Sequence, residues 1–346
     1  MFRLNALLVL IAFVSTALAD AGTPQQQFAD IGDVKLVSGD TLHDVRMAYV
    51  TAGTLNETRS NVIVFPSWFT GTARQLFDLG KIGPGKLADT NRYYVIAVDS
   101  LGNGVSTSPS NAAEQGGTGF PAIAIDDMVT ATHALLSQEL GFERVHAVMG
   151  ISMGGMQTFQ WIAQYPGFMQ KAVAIDGSPR LATYDLAVWQ VHVDAIELLG
   201  AAGVSGEETM RFLGSLGLLA LWTPDYFVEN VPRENWPEFR AGFRESMVQM
   251  HPSDVRSQLE AMIAHDVYAD FTGAGNDYID RVQAELLVVG VEGDHMVNPV
   301  PARRLADELG AQYAGIESNC GHLGTSCEEA IVTAIVNEFL ESGRKQ

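Results

Sequence analysis

Short, mostly apolar runs rich in Val and Ile recur along the chain: NVIVF at 61–65, YYVIAV at 93–98, VHAVMG at 145–150, KAVAID at 171–176, ELLVVGV at 285–291 and QYAGIE at 312–317. Runs of this length with apolar residues on both faces suit buried parallel strands. Upstream, residues 34–53 alternate apolar and polar around Ser38-Gly39-Asp40, the pattern of a strand pair at a sheet edge. Helical spacing fills the gaps. From Ile125, the residues Met128, Val129, Thr132, Leu135 and Leu136 share one face and Gly141 closes the segment; further helices are expected over 153–166 and 299–310. A last helix is expected from Ser326, as N-cap, with Glu329 at capping-box spacing. Strand and helix alternating in this way predict an α/β fold with a mostly parallel central sheet and helices on both faces.

One region breaks the rhythm. Residues 181–275 hold no convincing buried strand and are rich in Leu, Met, Phe and Trp. They read as a helical lid or cap inserted over the ligand-binding edge of the sheet, with ordinary flanking helices as the plainer alternative. The organisation expected is a leader at 1–19, a first core part at 20–180, the insertion at 181–275 and a second core part at 276–346.

The leader changes how the rest is read. Arg3 precedes an apolar run from Ala6 to Val14, and small residues end at Ala17-Leu18-Ala19. That is the layout of a secretory signal peptide, and the run falls short of the ~20 residues a membrane span needs. The expectation is a secreted or periplasmic protein with no stable membrane insertion after cleavage. Asn56-Glu57-Thr58 forms a glycosylation sequon in a host that glycosylates. Apolar content of 47% fits a globular chain with a large core, and a net charge of −20 argues against nucleic acid as a partner. Outside the cytosol two cysteines tend to pair, so Cys320 and Cys327 are expected to form a disulfide around His322. Zinc held by the same three residues is the alternative, but a structural zinc site wants four ligands.

The sharpest chemical signal is Gly150-Ile151-Ser152-Met153-Gly154, a G-x-S-x-G between an apolar strand and an amphipathic helix. Such a strand-to-helix elbow raises a serine hydroxyl above the sheet, and flanking glycines relieve the crowding. A serine nucleophile needs a base, and the base an orienting acid, in the order Ser, acid, His. Asp294 follows the run ELLVVGV and is the favoured acid; Asp176, one strand over, and Glu292 stay open. His322, in a glycine-flanked loop after the last strand, alone fits order and placement. His133 and His146 fall within a helix and a strand, His295 adjoins the acid, and His43, His192, His251 and His265 lie upstream of it. The oxyanion hole is expected to combine the Met153 amide with that of Trp68 or Phe69 in the loop after NVIV, their rings lining an acyl pocket.

The stretches GPGKLADTNRYYVIAVDSLGNGVSTSPS at 83–110, FPAIAIDDMV at 120–129 and GISMGGMQTFQWIAQYP at 150–166 together resemble the homoserine O-acetyltransferase family of the α/β-hydrolase superfamily. The resemblance is close over residues 45–180, recurs around Asp294 and His322, and is weak across the insertion. It implies the α/β-hydrolase fold, a triad of Ser152, Asp294 and His322, and Phe69 as the second oxyanion donor, matching SWFTG to the family's H-A-L-T-G loop. It also implies a substrate-binding arginine, to which Arg211 in MRFLGSL corresponds. The family carries an aspartate directly after the catalytic histidine; here that position is Leu323, which takes away a clamp for an amino group.

The function expected is therefore an exported serine hydrolase cleaving a small acyl ester through an acyl-enzyme. An O-acyltransferase of the homoserine O-acetyltransferase type is the runner-up, and a non-catalytic binding scaffold comes last because no triad member is missing. The reaction calls for no cofactor and no metal. The partner is a small-molecule ester, and a homodimer is left open.

Overall fold

The computed structural model describes residues 24–269 and 277–343. The leader read at 1–19 and the end of the insertion near 275 lie outside the described residues. Eight strands form one sheet in the order β1-β2-β6-β3-β7-β8-β9-β10. They are β1 (Gln26–Lys35), β2 (Thr41–Ala52), β3 (Val62–Pro66), β6 (Tyr94–Val98), β7 (Val145–Ile151), β8 (Met169–Ile175), β9 (Glu285–Glu292) and β10 (Gln312–Glu317). The two-residue strands β4 (Ile82–Gly83) and β5 (Ala88–Asp89) pair separately. The hairpin β1–β2 is antiparallel and β2 joins β6 antiparallel; every other pairing in the large sheet is parallel.

The apolar runs are apolar on both sides because the sheet is covered on both sides. In β3, Val62 and Val64 enter one core while Ile63 and Phe65 enter the other. In β6, Ile96 and Val98 part from Val95 and Ala97 in the same way, as a side-chain period of two requires. The first core packs beneath α2 (Ile125–Ala134), α3 (Met153–Gln164) and α10 (Pro299–Leu309); the second packs beneath α1 (Ala73–Asp78) and α12 (Glu329–Glu341). Truncating a side chain buried as Phe65 is costs ~3–5 kcal/mol.

Between β8 and β9 the described chain is helical: α4 (Thr183–Ala201), α5 (Gly206–Leu221), α6 (Pro224–Asn230), α7 (Trp236–Ser246), α8 (Pro252–Ala264) and the short α9 (Asp277–Arg281). Its polar breaks are helix starts: Ser205 caps α5, and Thr223 caps α6 with Pro224 in the first turn. No helix among the described residues is long and apolar enough to cross a membrane.

The end of the chain differs from the sequence expectation. Ser326 is not an N-cap: it lies inside a separate turn of helix, α11 (Gly324–Cys327), and α12 starts afresh after Glu328. The Glu328 amide bonds back to Gly324 O, ending α11, and the Thr325 side chain is tied to Asp176 just past the C-terminal end of β8.

Candidate active site

Ser152 occupies the turn from β7 into α3 at φ 57° and ψ −120°, backbone that non-glycine residues rarely adopt. The turn is held by the Ser152 amide donating to Ile175 O at 2.8 Å. It is tight enough that a Cβ on Gly150 would stand 2.1 Å from the Gly154 carbonyl oxygen, and one on Gly154 would stand 2.8 Å from Pro66 O. The two glycines of the motif are needed for close approach of strand, helix and the neighbouring β3 end.

His322 sits in a 3-10 turn after β10, Gly321–Leu323. Its Nε2 is 2.9 Å from Ser152 Oγ and its Nδ1 is 2.6 Å from Asp294 Oδ2. The other oxygen of Asp294 accepts from the amides of Met296 at 2.7 Å and Val297 at 3.1 Å. The loop after β9 thereby fixes the carboxylate before α10 begins at Pro299, capped by Asn298. All three side chains are buried. Hydrogen-bonded in series, the three stand in the arrangement that a serine nucleophile, its base and an orienting acid would need.

Two more carboxyl groups stand near the imidazole. Asp176, at the end of β8, does not replace Asp294: its Oδ2 accepts from Thr325 Oγ1 at 2.7 Å. Burial pushes Asp176 up to about 7, with the Asp294 charge adding to it. Asp185, at the start of α4, accepts from the Asn298 amide at 3.2 Å and from Ala182, tying α4 to the loop of Asp294; burial raises it to about 6. Burial pulls His322 down, but the opposing charges of Asp294, Asp176 and Asp185 and the Asp294 hydrogen bond hold it above its ordinary value. Glu292 is turned away, its Oε1 taken by Arg303 and by Tyr313 at 3.3 Å.

The Met153 amide opens α3, among the first-turn donors that a helix leaves without an internal acceptor. The Phe69 amide, in the loop after β3, makes no hydrogen bond among the described residues. The two aromatics of that loop part company. The Phe69 ring meets Trp189 of α4 edge-on at 5.5 Å, whereas Trp68 packs over Gly71 and against the opposite core. Arg211 is not brought in as a free cation: its guanidinium is bound by Glu208 at 2.6 Å and Glu245 at 3.0 Å.

Cys320 and Cys327 stand at disulfide distance, Sγ to Sγ 2.03 Å, on either side of His322. The same loop is gripped from the helical segment, where Thr223 Oγ1 donates to Asn319 O and Asn319 Nδ2 donates to Glu229. Asp185, Thr325 and Thr223 escaped the sequence reading. Each acts across more than ninety residues; Asp185 and Thr223 carry a local sign only for their capping positions at the starts of α4 and α6, and Thr325 carries none.

Residues 81–325 match the family model described as alpha/beta hydrolase fold. A probable esterase of Corynebacterium glutamicum is 31% identical over 316 residues, covering 86% of this chain and 89% of that protein. A homoserine O-acetyltransferase of Methanohalophilus mahii is 29% identical, covering 88% of this chain and 70% of that one. Among solved structures, an acetylester hydrolase from Corynebacterium glutamicum matches at a TM-score of 0.85 and 27% identity, over 92% of this chain and 96% of that one.

Proposed function

The chain belongs to the alpha/beta hydrolase fold family, and from that premise we propose that it is an exported serine esterase of small acyl esters, working through an acyl-enzyme on Ser152. The observation that carries the proposal is the unbroken hydrogen-bond series Ser152–His322–Asp294 at the C-terminal ends of β7, β9 and β10. Similarity to an acetylester hydrolase supports a short acyl group.

Ser152 Oγ attacks the ester carbonyl while His322 Nε2 takes its proton. Asp294 holds the other ring nitrogen as the donor, so that Nε2 is the free base. The carbonyl oxygen, now an oxyanion, accepts from the Met153 and Phe69 amides. Collapse expels the alcohol, which leaves with the proton from His322. A water then gives its proton to His322 and attacks the acyl-enzyme, and a second collapse releases the acid and restores the Ser152 hydroxyl.

An alcohol in place of that water makes the same site an O-acyltransferase, the second reading, which similarity to a homoserine O-acetyltransferase favours. Leu323 argues for water: it stands where the resembling family has an aspartate, so an incoming amino alcohol lacks that carboxylate as a partner for its ammonium group. Arg211, held by Glu208 and Glu245, is equally committed elsewhere.

The leader at 1–19 supports export, and export favours a covalent Cys320–Cys327 cystine that stiffens the His322 loop. The helical segment between β8 and β9 is the lid of this site. Purified enzyme given p-nitrophenyl esters of increasing acyl length, and separately acetyl-CoA with homoserine, tests the reading. Rapid release from the acetyl ester with no acetylhomoserine is expected; efficient acetylhomoserine formation would overturn the preference for hydrolysis.

A further inference from the structure

We propose that Gln258, on α8 of the helical segment, is a positioning residue for the oxyanion hole, an inference that rests on the acyl-enzyme reading above. Residues Trp68–Gly71 form a tight turn closed by the Gly71 amide donating to Trp68 O at 2.9 Å. Its third residue, Thr70, has φ 60°, while Phe69 is not in the positive-φ region. That combination is a type II turn, which favours glycine at the third position and penalises a β-branched residue there. The turn would relieve itself by flipping its central peptide, the one joining Phe69 to Thr70, into the type I form that suits threonine.

Gln258 opposes that flip. Its Oε1 accepts from the Thr70 amide, the N–H of that central peptide, at 2.8 Å. Its Nε2 donates to Leu101 O at 3.1 Å, so the side-chain amide is locked in one orientation and presents oxygen, not nitrogen, to Thr70. The side chain has no exposure at all, so no water competes for either bond. One turn earlier on α8, Asp254 accepts from the Ser110 amide at 2.8 Å and from Ser110 Oγ at 2.5 Å, seating the helix on the loop after β6. The peptide so pinned immediately follows the Phe69 amide that donates to the oxyanion. Because peptides are planar, fixing the Thr70 N–H also fixes the Phe69 carbonyl and so ψ of Phe69; the Phe69 N–H, on the preceding peptide, is held through the turn that this bond keeps in its type II form. The helical segment therefore does more than cover the ester: through Thr70, 188 residues upstream of Gln258, it holds the turn that carries an oxyanion donor.

The test compares wild type, Gln258→Met and the double variant Gln258→Met/Thr70→Gly. Methionine fills the space without a hydrogen-bond acceptor for Thr70. A displacement of about an ångström at an oxyanion donor lowers kcat by roughly 10- to 100-fold. The expected result is that loss in kcat with KM little changed, and a matching loss of affinity for a trifluoromethyl ketone that mimics the tetrahedral adduct. Thr70→Gly removes the strain that drives the flip and is expected to recover most of the lost kcat. Gln258→Glu, which keeps an oxygen for the Thr70 amide, serves if the methionine variant does not fold, and is expected to fall between wild type and that loss. Unchanged kcat in Gln258→Met, or a loss that Thr70→Gly does not repair, would overturn the inference while leaving Ser152 as nucleophile. Failure of wild-type Ser152 to take a fluorophosphonate label would instead remove the reading beneath it.

Discussion

Replacing Asp176 with asparagine separates a buried carboxyl from the triad beside it. Asp176 is 3% exposed, and burial raises it from 3.8 to about 7. Its folded value lies above its unfolded value, so between about pH 4 and pH 7 the folded chain holds a proton that the unfolded chain has released. This contribution to stability is complete below the unfolded pKa and is lost as pH rises through the folded one. A shift of about three pH units at ~1.36 kcal/mol each makes the loss about 4 kcal/mol by pH 8. Asparagine keeps an acceptor for Thr325 Oγ1 and never ionises, so the variant lacks that slope. Urea unfolding of wild type and Asp176→Asn at pH 5 and pH 8 measures the difference, and the shared effect of the −20 net charge largely cancels. The variant is expected to gain stability relative to wild type by a few kcal/mol between the two pH values. The same difference at both would refute the claim that Asp176 is protonated in the folded protein near neutrality.

Asp294→Asn leaves the fold and binding intact but spoils the imidazole tautomer, and is expected to cut kcat by about 10⁴-fold; a loss that large in Asp176→Asn with Asp294→Asn active would reverse the assignment of the acid. Because carboxylates hold His322 above its ordinary value, activity is lost as His322 becomes protonated. The acid limb of kcat/KM should centre above the usual histidine range, and Asp185→Asn should move it to lower pH. Thiol titration of denatured, unreduced protein should find no free thiol. A Cys320→Ser/Cys327→Ser variant should lose roughly 2.5 kcal/mol of stability, measured by denaturant melting.

The strands were legible because each run is apolar on both faces, and a sheet covered on both sides needs just that. Ser152 was legible because its geometry is local: strand, two glycines and helix lie within a dozen residues. His322 followed from chain order. What stayed hidden is non-local and polar. Gln258 meets Thr70, Asp185 meets Asn298 and Thr325 meets Asp176 through single hydrogen bonds, which impose no periodicity on either partner. Trp68 and Phe69 look equivalent as neighbours, yet one turn sends their rings to opposite cores. Arg211 looked free because its partner Glu245 lies on α7, a helix away. Ser326 had the right spacing for a cap, but it lies inside α11, and the backbone leaves helical geometry only at Glu328 before α12 begins.

The mechanism turns on a covalent intermediate on one serine. Wild type and Ser152→Ala are mixed with p-nitrophenyl acetate, quenched in acid during the first turnovers, and digested for mass analysis. One acetyl group is expected on the peptide carrying Ser152 in wild type, none in Ser152→Ala, with no hydrolysis above background in that variant. An acetyl group on another residue, or full hydrolysis by Ser152→Ala, would contradict the mechanism.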